Sequence, residues 1–91
     1  MSLIMISYDL KGPKRNYTDL IEAIKSEHNW WHYLDSFWLV DSSKSVEYWT
    51  KKLNKHIDED DNLLVMKISI EDYNGHLPQK AYDWIHRKEF D

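Results

Sequence analysis

Asp9 stands at the end of the apolar run Leu3-Ile4-Met5-Ile6-Ser7-Tyr8, and Lys11, Lys14 and Arg15 follow it around Gly12-Pro13. A hydrophobic strand that ends in a carboxylate presents that group at its exposed tip. Mg²⁺ takes oxygen ligands, keeps several of its waters and binds proteins through one or two carboxylates. Asp9 is therefore a candidate metal ligand. Lys11, Lys14 and Arg15 are candidate phosphate anchors, since cations beside a phosphodiester fix its position without reading base sequence. The alternative stays open at this level: Asp9 braces the turn and the three cations form a solvated loop.

Ser36 is the second candidate. With Asp35 it interrupts the otherwise apolar stretch Asn29 to Asp41. Its hydroxyl either bonds a phosphate and assists at the site, or satisfies backbone groups at a bend. Tyr8, Trp30 and Trp31 offer rings that stack on bases of a single strand or simply pack. The five histidines show no zinc spacing: His28 and His32 are four apart, but a helix-to-strand break separates them. Asp58–Asp61 lacks the glycine and distal Glu of a calcium loop and reads as a solvated turn. Phosphate-cradling glycine loops, nucleophile elbows and dinucleotide fingerprints are all missing from the sequence.

Ninety-one residues make one domain. A chain of this size buries only roughly 60–65% of its unfolded surface, so it is marginal alone. Five Trp, six Tyr and two Phe supply more apolar area than a small core needs, at about 150–250 Å² each. Part of that area is expected at a subunit interface. There is no Cys, which excludes disulfides and thiolate metal sites and predicts a reducing, cytoplasmic location. No run reaches the ~18 apolar residues of a membrane span, and no secretory leader is expected. The net charge of −4 argues against a general nucleic-acid coat, which would be strongly basic.

The elements that position these groups follow from periodicity. Leu3 to Leu10 reads as a strand covered on both faces. Asn16 is a plausible N-cap for a helix whose buried stripe is Tyr17, Leu20, Ile21 and Ile24, running to about Glu27. Asn29 to Asp41 is strand on either side of Asp35-Ser36, as one bent strand or two short ones. Period two puts Trp31, Tyr33, Phe37 and Leu39 on one face and Trp30, Leu34, Trp38 and Val40 on the other. Ser42, Ser43 and Ser45 open a second helix with Val46, Trp49, Leu53 and Ile57 on one side. Lys51, Lys52 and Lys55 lie elsewhere on it. Asn62 to Glu71 is a strand with Leu64, Met66, Ile68 and Ile70 on one face. Pro78 begins a short third helix to about Lys88, anchored by Ala81, Tyr82, Trp84 and Ile85.

The order is β-α-β-β-α-β plus an appendage. Right-handed crossovers place both core helices on one face of the sheet. The expected fold is thus α+β, a ferredoxin-like βαββαβ sandwich with an antiparallel sheet. Residues 1–72 form the core and 73–91 a C-terminal tail or short helix. Because both faces of the central strands are apolar, the helix-free face needs a cover. Either a second copy packs its sheet there or the appendage does so within one chain.

With its elements in this order, the chain resembles the smaller of the two core CRISPR adaptation proteins. Ile6-Ser7-Tyr8-Asp9-Leu10 resembles that family's first strand, and Leu34-Asp35-Ser36-Phe37-Trp38-Leu39 its central strand. Asp60-Asp61-Asn62-Leu63-Leu64-Val65-Met66 resembles its acidic turn into the last core strand. Residues 3–70 carry the likeness. VapD-type ribonucleases and stand-alone SinR-like chains are related possibilities. The resemblance implies a homodimer in which Asp9 of each protomer faces its mate and the pair holds one Mg²⁺. It also implies metal-dependent cleavage of nucleic acid. The expectation is an endonuclease, acting on RNA in preference to DNA. Asp9 is its metal ligand and catalytic carboxylate, Ser36 its auxiliary, and Lys11, Lys14 and Arg15 its phosphate anchors. A non-catalytic homodimeric module that docks a partner protein, and a toxin-type ribonuclease, are the alternatives.

Overall fold

A computed structural model of the chain describes residues 1–11 and 17–87. The expected cap Asn16 and the cations Lys14 and Arg15 lie outside the described residues. Seven elements follow in order: β1 (Ser2–Asp9), α1 (Thr18–Lys25), β2 (Trp30–Leu34), β3 (Phe37–Ser42), α2 (Val46–Asn54), β4 (Asn62–Ile68) and α3 (Gln79–Arg87). The four strands form one sheet in the order β2-β3-β1-β4. All of its pairings are antiparallel. The class is α+β.

β1 is central, and its sequence shows why. Leu3, Ile4, Met5 and Ile6 are all buried, because neighbouring strands flank β1 and both of its faces are covered. Asp35 and Ser36 are the connection between β2 and β3, so the aromatic stretch is two short strands. Polar residues with no strand preference interrupt the ladder there.

One face of the sheet carries α1 and α2. Ile4, Ile6, Trp38 and Val40 meet Leu20, Ala23 and Ile24 of α1 and Trp49 and Leu53 of α2. Apolar residues three and four apart in each helix make the facing stripe. α1 stops at a reversal in which His28 takes a positive φ of 63° and its N–H donates to the Lys25 carbonyl at 2.9 Å. Ser45 caps α2 by accepting the Tyr48 N–H at 3.0 Å. Buried Ser42 joins the layers. Its hydroxyl donates to Glu27 Oε1 at 2.8 Å and accepts from the Trp49 indole N–H at 3.1 Å and the Lys44 backbone N–H at 3.0 Å.

α3 lies on the opposite face. Ala81 is fully buried against Leu3, Met5, Trp31 and Leu39, with Leu77, Trp84 and Ile85 packed around them. The Trp31 indole N–H donates to the Ala81 carbonyl at 3.0 Å. The appendage thus covers this part of the second face within one chain. The cover does not reach the β4 side, where Leu64 and Met66 remain 54% and 45% exposed.

Candidate functional site

Asp9 is the last residue of β1, paired with Asn62 at the start of β4. Directly opposed residues of an antiparallel pair share a face. Asp9, Ser7 and Met5 therefore share a face with Asn62, Leu64 and Met66, on the side that bears α3. Ser7, Tyr8, Asp9, Asn62, Leu63 and Leu64 line a shallow depression at this corner.

The Asp9 carboxylate is 67% exposed and stands 3.6 Å from the Lys11 ammonium. An exposed pair of this kind contributes about 0–1 kcal/mol and is easily exchanged for another partner. The bracing role considered for Asp9 belongs instead to Asp61. Its Oδ1 accepts the Lys11 backbone N–H at 2.7 Å. Its Oδ2 accepts the Tyr17 hydroxyl at 2.8 Å and the Asp58 N–H at 2.8 Å. Asp61 is only 8% exposed, which corrects the expectation of a wholly solvated acidic turn. Register held the missing clue: the residue before β4 must lie against the chain leaving β1, where backbone N–H groups lack sheet partners.

Ser36 comes to the same end of the sheet, and its backbone makes the connection: the Ser36 carbonyl accepts the Tyr8 N–H at 3.1 Å. Ser36 thus lies at the same end of the sheet as Asp9 and Lys11, but beside Tyr8, whose side chain alternates to the other face from Asp9, whereas Lys14 and Arg15 lie outside the described residues. Among the described residues, no group of three or more His, Cys, Asp or Glu side chains is arranged to hold a metal ion.

The aromatic candidates for base stacking are occupied by packing. Trp31 is 3% exposed. Trp30 lies against Trp38, with ring centres 5.4 Å apart. Tyr8 accepts the Trp38 indole N–H at 3.0 Å. His32 stacks on Trp38 at 3.6 Å with nearly parallel rings, so it packs against the wall of the sheet.

A second polar feature lies on the helix layer. Lys44, Tyr48, Lys51, Lys52 and Lys55 recur at spacings of three and four, which puts them on the outward face of α2 and its entry. Periodicity set Lys51, Lys52 and Lys55 apart from the buried stripe, with Lys55 near the helix C-terminus where a cation is favoured, and did not single out Lys44.

Among the described residues, no helix is long and apolar enough to cross a membrane. No known protein family, curated protein or solved structure matches the chain.

Proposed function

We propose that this chain is a ferredoxin-like domain that pairs with a second copy and hydrolyses phosphodiester bonds, with RNA as substrate and Mg²⁺ as cofactor. The carrying observation is the division of labour between two carboxylates. Asp61 is buried and braces the loop, and this leaves Asp9 exposed at a corner that α3 does not cover.

Asp9 offers one carboxylate per chain, and a two-fold pair offers two, which suits an ion that binds through one or two carboxylates and retains waters. When bound, a divalent cation supplies charge stabilisation at phosphorus and a more acidic water. Asp9 would hold that cation. Lys11, freed from Asp9, neutralises a phosphate oxygen, with Lys14 and Arg15 as further anchors. Ser36 donates its hydroxyl to the substrate. Water forms the new bond to phosphorus and gives up one proton, the ester P–O bond breaks, and the departing oxygen takes up one proton, so that no net proton is consumed in the bond exchange.

Incubating labelled RNA with Mg²⁺ or Mn²⁺ tests this reading. Asp9→Ala is expected to lower cleavage roughly 100-fold or more, the scale of removing one charge-stabilising group. Equal cleavage by both proteins, or none by the wild type, removes the hydrolytic assignment.

The exposed Leu64 and Met66 favour a second reading in which pairing itself is the function. Exposed apolar side chains on an edge strand are a ready site for association. A dimer without cleavage selects this reading.

A further inference from the structure

α2 turns an unusual face to solvent for a chain of net charge −4. Lys44, Tyr48, Lys51, Lys52 and Lys55 lie along it, and Tyr48, Lys51, Lys52 and Lys55 line a shallow groove. Among the described residues, none of these four lysines is ion-paired to a carboxylate. Glu47 is the acidic residue in the first turn of α2, one position before Tyr48. The Tyr48 ring is 40% exposed, and it is held edge-on to the buried Trp49 ring at 5.8 Å and 88°. The ammonium groups of Lys44 and Lys52 stand over it at 5.5 and 5.6 Å. Lys52 also reaches the Ser26 hydroxyl at the end of α1, where Lys25 lies over Trp30 at 4.9 Å.

We infer that this face binds the backbone of a single-stranded nucleic acid, with one base on Tyr48 and successive phosphates on Lys44, Lys51, Lys52 and Lys55. The occupant follows from charge and ring chemistry together. Ammonium groups with no carboxylate partner among the described residues, clustered along one helix face, meet a regularly spaced polyanion. An aromatic ring among them stacks on any base, because every base has a π-face. An acidic peptide satisfies the cations but leaves the ring unused. The α2 helix, Val46–Asn54, is about 13 Å long, with Lys44 just before it and Lys55 just after, a length that a few consecutive nucleotides cover. This face lies on the α1–α2 side of the sheet and Asp9 on the other, so the site is separate from the hydrolytic corner and does not depend on it.

Fluorescence anisotropy with a short labelled oligouridylate, read in EDTA so that cleavage is silent, tests the inference. Wild type is expected to bind with a salt slope of about −0.7 per phosphate contacted. Tyr48→Ala is expected to weaken binding roughly 5- to 100-fold with the salt slope kept. Lys51→Glu combined with Lys52→Glu is expected to abolish binding, and Lys80→Glu, at an exposed position of α3, to leave it unchanged. Circular dichroism confirms that each variant is folded. Three results overturn the inference: no binding by wild type, binding that survives the double substitution, or equal displacement by polyglutamate. Asp9→Ala is expected to bind like wild type, so a failed cleavage assay and a failed binding assay remain distinguishable.

Discussion

Asp61 accepts the backbone N–H of Lys11 across fifty residues of sequence, at 2.7 Å, where the chain leaves β1. With the bonds from Tyr17 and Asp58, this buried carboxylate ties the β1 exit, the approach to α1 and the entry to β4 into one knot. The neighbouring carboxylate, Asp9, is left outside it.

The two acids should therefore respond oppositely to substitution. Asp61→Ala strands several donors and is expected to cost about 2–4 kcal/mol in urea unfolding. Asp9→Ala removes one exposed ion pair and is expected to change stability by less than about 0.5 kcal/mol. Equal costs would mean that Asp9 is a structural brace after all, which contradicts the geometry.

The latch between Trp31 and Ala81 predicts how α3 is held. Trp31→Phe keeps a ring in place but leaves the Ala81 carbonyl without its indole donor, at an expected cost of about 1–2 kcal/mol, part of it lost ring volume. Ala81→Asp puts a carboxylate into a fully buried position and is expected to release the helix at more than about 3 kcal/mol. Rapid proteolysis near residues 73–78 and dye binding to Leu3, Met5 and Leu39 would report the release. An undisturbed digestion pattern would refute the latch.

Leu64 and Met66 predict association. Their replacement by Lys should shift a concentration-dependent dimer to monomer in sedimentation, with stability within about 0.5 kcal/mol because both are already exposed. A wild type that stays monomeric at high micromolar concentration removes the pairing proposal, and with it the shared-cation arrangement.

Much of this was readable from local pattern. The period-two split of the aromatic stretch placed Trp31 and Leu39 in one core and Trp30, Trp38 and Val40 against the other, because alternation along a strand is a property of the backbone itself. A serine cap among Ser42, Ser43 and Ser45 and the Trp49–Leu53 stripe were legible from local pattern too; that Ser45 is the cap was not. Helix and strand ends shifted by a residue or more, as at α1, which begins at Thr18 and ends at Lys25, since end residues have few partners to hold them. Asp61 was not legible. Nothing in an acidic run says which member turns inward, and that choice depends on three donors from distant segments.

Sequence alone determined the element types, their order and which residues share a face of each element, since these rest on periodicity and on preferences that act within a few residues. Tertiary structure alone decided that Asp61 is buried and Asp9 exposed, that α3 closes part of the second face, and that the α2 lysines stand without ion pairs among the described residues. Those outcomes depend on pairing register and on contacts between segments far apart in the chain, where burial is settled only once every neighbour has taken its place.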